Sequence, residues 1–217
     1  MDQSRDRIRV RRNRVLLVEG SEDARLLSAL VQPPAGIQIL EMGGKDRLKE
    51  VLDLILQDAK RIGGLQAIGV VRDADDQPPS AFQSVRDTLQ SKGLNPPNQH
   101  GQYSESDRPA VGVFITPDGS SPGSLESLCV SSVREAPEAH CAEEYLQCVA
   151  KVRHAEWNTA RRAKAFAYAY QAASADPGNR LNVGIAQGIW NRDSPAFGPL
   201  RAFVKRLTTV GGSAGAA

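Results

Sequence analysis

Glu19 closes the apolar run Val15-Leu16-Leu17-Val18, and Asp73 and Asp75 follow the run Ala67-Ile68-Gly69-Val70-Val71. Carboxylates gathered in one place repel one another unless a cation sits among them, and such hard oxygen ligands suit Mg²⁺ or Mn²⁺. The chemistry suggested by these three acids is metal-dependent work on phosphate groups. In an extended segment Asp73 and Asp75 point to the same side, where they can share one ion or bridge two, while Asp76 faces away.

The acids need elements that bring them together. Short runs of Val, Ile and Leu read as buried parallel strands, and acids at their ends emerge at the carboxyl edge, where open α/β sheets build their sites. The pattern predicts strands over 15–19, 36–41, 65–71 and 111–116, with helices over 21–31, 45–62 and 80–91. Residues 93–109 read as a long polar loop. Strands alternating with helices at this spacing predict βαβ units and a four-stranded, mostly parallel sheet. After residue 120 the pattern turns helical, with helices near 124–132, 137–152, 157–173, 182–189 and 199–207 and no further strand. The chain thus divides into a basic N-terminal arm over 1–13, an α/β domain over 14–132, a helical extension over 133–210 packed on the same core, and a flexible tail over 211–217.

Composition narrows the class. With 217 residues, 41% hydrophobic and 24% charged, the chain can bury one core of good size. Its apolar stretches fall far short of the roughly 18 to 20 residues needed to cross a bilayer. The charged start lacks the apolar run of a signal peptide, so a cytoplasmic protein with no membrane contact is expected. Cys129, Cys141 and Cys148 show neither zinc nor disulfide spacing and read as small buried hydrophobes. His100, His140 and His154 are scattered, and Tyr103, Tyr145, Tyr168 and Tyr170 read as packing or surface residues. Aromatic content of 5% argues against a platform for stacking bases.

The net charge of +2 is unevenly placed: residues 1–14 hold six Arg against two Asp, residues 15–150 eleven bases against twenty acids, and residues 151–217 ten bases against three acids. An acidic centre between basic flanks suits a phosphodiester substrate, with cations on the acids and basic groups on the backbone. The bland alternative is an Arg-rich solubilising start.

Other residues leave the predicted strands at the same edge. The segment after the fourth strand carries Asp118, Ser124 and Glu126. Ser124 is either a helix N-cap, with Glu126 favourably placed in the first turn, or a hydroxyl supporting Glu126 as a metal ligand. Asp23 suits the first turn of the first helix. Gly43-Gly44-Lys45 offers a phosphate contact ahead of a helix, without the spacing of a P-loop. Arg72 stands beside the Asp pair, either to offset phosphate charge or to pair with a neighbouring acid.

Taken together, Val18-Glu19-Gly20, Asp73-Ala74-Asp75 and Ser124-Leu125-Glu126 on successive strand ends make residues 14–132 resemble the TOPRIM domain. That superfamily is shared by topoisomerases, bacterial primases, small ribonucleases and OLD (overcoming lysogenization defect) nucleases. The Ser-x-Glu element is most similar to OLD-type nucleases and small stand-alone TOPRIM-like proteins. The resemblance implies a TOPRIM-like, Rossmann-like α/β fold, and Mg²⁺ or Mn²⁺ held by Glu19, Asp73 and Asp75, with Ser124 and Glu126 completing a second ion's site. It also implies a later helical lysine that assists the transition state, with Lys164 as the candidate and Arg162 its substitute. The activity implied is a two-metal nuclease acting on DNA or RNA, with an ATPase or other protein as a partner. A non-catalytic binding module with a structural ion is the alternative. No ATPase domain, primase zinc region or topoisomerase tyrosine domain accompanies the motifs in these 217 residues.

Overall fold

A computed structural model describes residues 8–34, 36–105, 108–174, 176, 178 and 180–211. Residues 1–7 of the basic arm and 212–217 of the tail lie outside the described residues. Five strands, β1 (Arg14–Val18), β2 (Ile37–Glu41), β3 (Ala67–Asp73), β4 (Tyr103–Ser104) and β5 (Ala110–Thr116), form one sheet in the order β2-β1-β3-β5-β4. All neighbours are parallel except β4, which runs antiparallel to β5. The α/β class and the four parallel strands are as expected.

β4 lies inside the predicted loop of residues 93–109, where no strand was expected. It is two residues long, and what places it is one ring. Tyr103 lies opposite Gly112, stacks on Phe203 with ring centroids 4.7 Å apart, and donates its hydroxyl to the Phe203 carbonyl at 3.3 Å. Gly112 is needed there, since a Cβ at that position would meet the ring at 2.4 Å. Gly112→Ala is therefore expected to cost about 1–3 kcal/mol through overpacking, read as a lower urea midpoint. An unchanged midpoint would mean that Tyr103 swings aside freely.

Among the described residues eight helices cover the sheet: α1 (Ser21–Val31), α2 (Leu48–Ala59), α3 (Pro78–Ser91), α4 (Leu125–Ser132), α5 (Pro137–Arg153), α6 (Thr159–Ala172), α7 (Leu181–Ala186) and α8 (Gly198–Leu207). Single 3₁₀ turns extend α2 at both ends, giving the predicted 45–62 run. Alternation along the strands builds two cores. Leu16, Val18, Val71 and Phe114 face α1 and α4 to α8, and Val15, Leu17, Ile68, Val70 and Val113 face α2 and α3. The late helices thus share a core with the sheet, through Phe166, Leu181, Phe203 and Leu207 among others.

Basic residues near the start do structural work. Val10 is buried in the α2 and α3 core, and its N–H donates to Asp58 at 2.7 Å. Arg14 donates Nε to the Leu207 carbonyl at 3.0 Å and Nη2 to that of Val210 at 3.1 Å, placing a cation on the last carbonyl of α8 and on the turn that follows it. Cys129 is buried as expected, but Cys141 and Cys148 are exposed. The reason is that α5 packs through Ala139, Ala142 and Leu146, which leaves both thiols on its outer face. No helix among the described residues is long and apolar enough to cross a membrane.

Candidate functional site

The chain leaves β1 toward β2 on one side and returns to β3 on the other, so the sheet's switch point lies between the carboxyl ends of β1 and β3. Glu19 follows β1 there, and Asp73 ends β3, in register with Thr116 at the end of β5. Asp73 is 8% exposed. Its Oδ1 accepts from Thr116 Oγ1 at 2.7 Å and from the Leu125 N–H at 2.9 Å. Its Oδ2 lies 3.9 Å from Lys164 Nζ. Glu19 Oε1 accepts the Asp73 N–H at 3.2 Å and lies 3.7 Å from Arg72 Nε. Asp23 Oδ2 accepts the Gly20 N–H at 2.9 Å, which turns the start of α1 back toward the strand end.

α4 and α6 close the cluster. Ser124 is the N-cap of α4 and donates its N–H to Ser127 Oγ at 3.0 Å. The Ser124 hydroxyl itself is buried and, among the described residues, has no hydrogen-bond partner. Glu126, in the first turn of α4, is 7% exposed. Its Oε1 stands 3.9 Å from Lys164 Nζ, and its Oε2 is buried with no hydrogen-bond partner among the described residues. Lys164 projects from α6, whose start is fixed by Asn158. That side chain accepts the Arg161 N–H at 2.9 Å as an N-cap and donates to Asp76 Oδ2 at 3.1 Å, so the loop after β3 positions the helix that carries the lysine.

Charge is crowded at this edge. Burial, then Glu126 and Asp23, push the Asp73 carboxyl up to about 8, against the pull of the Thr116 hydroxyl. Burial raises Glu19 as well, opposed by the Asp73 N–H and Arg72. Asp23 is raised by burial and by Glu126. Burial disfavours the Lys164 ammonium, yet Glu126, Asp73, Asp23 and Glu19 outweigh it and hold its pKa above the ordinary value.

A family described as "Protein of unknown function (DUF3226)" matches residues 13–209. The chain belongs to that family. No curated protein matches it. Among solved structures, the DUF3226 chain is similar to the C-terminal region of the OLD protein of Xanthomonas campestris pv. campestris. The iodine-phased structure is 13% identical with a TM-score of 0.42, covering 92% of this chain and 97% of that one. The mercury-phased structure is 13% identical with a TM-score of 0.38, covering 90% and 86%.

In this DUF3226 chain the residues singled out from sequence separate into two groups. Glu19, Asp73, Ser124, Glu126 and Lys164 come together, and Asp23 joins them more closely than a helix-start acid suggests. Asp75 does not continue an extended segment: its φ is +51°, its backbone bridges Gly123, and its Oδ2 accepts from Lys45 Nζ at 2.9 Å on the exposed rim. Gly43 and Gly44 direct their N–H groups to the Glu19 carbonyl, both at 2.9 Å, so those amides clamp the end of β1 instead of facing a ligand. Their φ values of +78° and +124° explain why both are glycine.

Arg72 pairs with Glu19 and donates to Ser84 Oγ at 3.2 Å. Asp118 accepts the N–H and hydroxyl groups of Ser120 and Ser121, which tie the loop and pull its carboxyl down to about 2 in spite of partial burial. Arg162 turns to Glu143 of α5. Thr116 and Asn158 carry roles that no sequence motif signals, and Asp76, read as facing away from the pair, holds Asn158 at the start of α6. Only the position of Thr116 as the last residue of an apolar run pointed to it.

Among the described residues, no three His, Cys, Asp or Glu side chains are drawn together tightly enough to hold a metal ion as they stand. The ammonium of Lys164 lies between Asp73 and Glu126 instead. The orphaned oxygens of Ser124 and Glu126 weigh the other way, because buried polar atoms without partners belong where a ligand can supply one. The donor set, all oxygen, fits Mg²⁺ or Mn²⁺.

Proposed function

We propose that this chain is a Mg²⁺- or Mn²⁺-dependent nuclease hydrolysing phosphodiester bonds of DNA or RNA. The observation that carries the reading is the cluster of four carboxyls, Glu19, Asp23, Asp73 and Glu126, gathered about one lysine at the switch point, with Glu126 Oε2 and Ser124 Oγ left unpartnered. Its likeness to a TOPRIM site, in the order Glu-Gly, Asp-x-Asp and Ser-x-Glu, supports the same assignment.

Glu19, Asp73 and Asp75 would hold one ion, and Ser124 and Glu126 would complete the site of a second. When bound, the ions supply charge to balance the phosphoryl oxygens and a water of lowered pKa. The chain's own groups do the rest. Thr116 and the Leu125 N–H fix Asp73 Oδ1, which leaves Oδ2 turned to the site. Arg72 and the Asp73 N–H hold Glu19 in its rotamer. Lys164, half-exposed at the mouth of the cluster, can meet a phosphoryl oxygen and offset the charge that develops on it. Asp75 would have to release Lys45 to join them, which would free a second cation for the substrate backbone. Recognition or ATP hydrolysis supplied by a separate protein is compatible with this division of labour.

Incubation with plasmid DNA or structured RNA and Mg²⁺ or Mn²⁺ should give chelator-sensitive cleavage that is lost in Asp73→Ala and Glu19→Ala. Binding without cleavage under every metal tried would leave the second reading, a nucleic-acid-binding module with a structural ion. One observation favours that module: Lys164 stands 3.9 Å from both Asp73 and Glu126 and offsets their charge.

A further inference from the structure

α6 presents one stripe to solvent. Its positions Arg161, Lys164 and Tyr168 are all exposed and are spaced three and four residues apart, so they lie in a row on one helix face. Ala160, Ala163, Phe166 and Ala167 are buried on the opposite side. The row runs over the acid cluster, because its middle member, Lys164, stands 3.9 Å from both Asp73 and Glu126.

Tyr168 is the unusual member. Its side is not the packing side: the inward aromatics of α6 are Phe166 and Tyr170, stacked at 5.9 Å, with Tyr170 against Trp190 at 5.1 Å. Tyr168 remains 54% exposed, one helical turn beyond a lysine that faces the site. An aromatic ring left in water one turn from Lys164 and two turns from Arg161 offers a face for stacking on a row that also carries two cations.

We propose that α6 is the track of a single-stranded nucleic acid, on which Arg161 and Lys164 hold backbone phosphates and Tyr168 stacks on the base beside the scissile bond. This rests on the phosphodiester reading of the site. It favours single strands because a base in a duplex already has both faces stacked, whereas an unpaired base can turn one to the ring. Tyr168 is therefore a substrate-positioning residue. The low aromatic content of the chain is no obstacle, since one ring placed at the site suffices where a platform of several is absent.

The test uses the full chain with Ca²⁺, a hard oxygen-seeking cation, and labelled 20-residue strands of DNA and RNA, read by fluorescence anisotropy. Tyr168→Ala should weaken binding of a single strand by roughly 5- to 150-fold, the worth of one stacked base. Tyr168→Trp should restore it, with indole fluorescence quenched on binding. A strand with consecutive abasic sites should bind the wild-type protein as weakly as an intact strand binds Tyr168→Ala. Equal binding by Tyr168→Ala and wild type, equal binding of abasic and intact strands, or preference for a duplex would each overturn the proposal.

Cleavage with Mn²⁺ is measured in parallel on the same strands. Cleavage that ignores Tyr168 would sink the track and leave the nuclease. The expected binding pattern without cleavage under any metal would sink the nuclease and leave the track.

Discussion

Asp73→Asn is expected to raise the melting temperature of the metal-free protein by ~5–10 °C at pH 8 while abolishing its metal-dependent cleavage. The first half follows from linkage. Burial, Glu126 and Asp23 lift the Asp73 carboxyl from an ordinary value of 3.8 to about 8, so the native state binds the proton more tightly than the unfolded chain does. Below pH ~4 both states are protonated and the site costs nothing. Stability then falls as pH rises, until the native carboxyl also ionises near pH 8. The penalty is at its full size near pH 8, and for a domain of this size each kcal/mol of it moves the midpoint by ~2–4 °C.

Asn avoids that penalty and keeps an Oδ1 to accept from Thr116 and Leu125. Melts followed by circular dichroism at pH 4, 6 and 8 with a chelator should show the gain shrinking to nothing at the acid end. A loss of stability at every pH would mean that Asp73 is an anion held by Lys164. The second half follows from charge: a ligand to the ion that serves the phosphoryl group contributes several kcal/mol at the transition state, so cleavage should drop by ~10³-fold or more. A gain in stability with a loss of activity separates a residue kept for chemistry from one kept for the fold.

The strands that position the site could be read before the fold was known. Val15 to Val18, Ala67 to Val71 and Val111 to Ile115 are apolar on every face, which parallel strands covered on both sides require, and this puts Glu19 and Asp73 at one edge. What could not be read is set by contacts distant in sequence. Asp23 looks like any acid in a first helical turn until the fold brings it near Glu126. Asp75 reads as extended from sequence because alternation along a strand has no signal for where the strand stops, and here the backbone turns left-handed at that residue. Asp118 has the composition of a ligand, yet two serines within three residues satisfy it locally. β4 is fixed by the seat of Tyr103 on Gly112, a pairing that no local pattern encodes.

Lys164→Ala is expected to lower cleavage by ~10²–10³-fold, the scale of removing one preorganised donor from a developing phosphoryl charge, while strengthening the binding of Mn²⁺. The two effects run in opposite directions for one reason. The ammonium stands 3.9 Å from Asp73 Oδ2 and 3.9 Å from Glu126 Oε1, so an ion bound there would compete with the lysine for the same oxygens. Removing the lysine removes the competitor and also leaves the carboxyls to repel one another, which an arriving cation relieves.

The metal-free variant should lose only ~1 kcal/mol, because Lys164 is half-exposed and water screens its pairings. Calorimetric titration with Mn²⁺ tests this against the alternative that Lys164 merely orders the ligands, for which affinity would fall along with activity. Asp73→Asn combined with Lys164→Ala adds a further constraint. If the two side chains act on each other directly, the stability gained from Asn should be larger in the Ala background, where the carboxylate has lost its nearest counter-charge, and the excess measures the coupling between them.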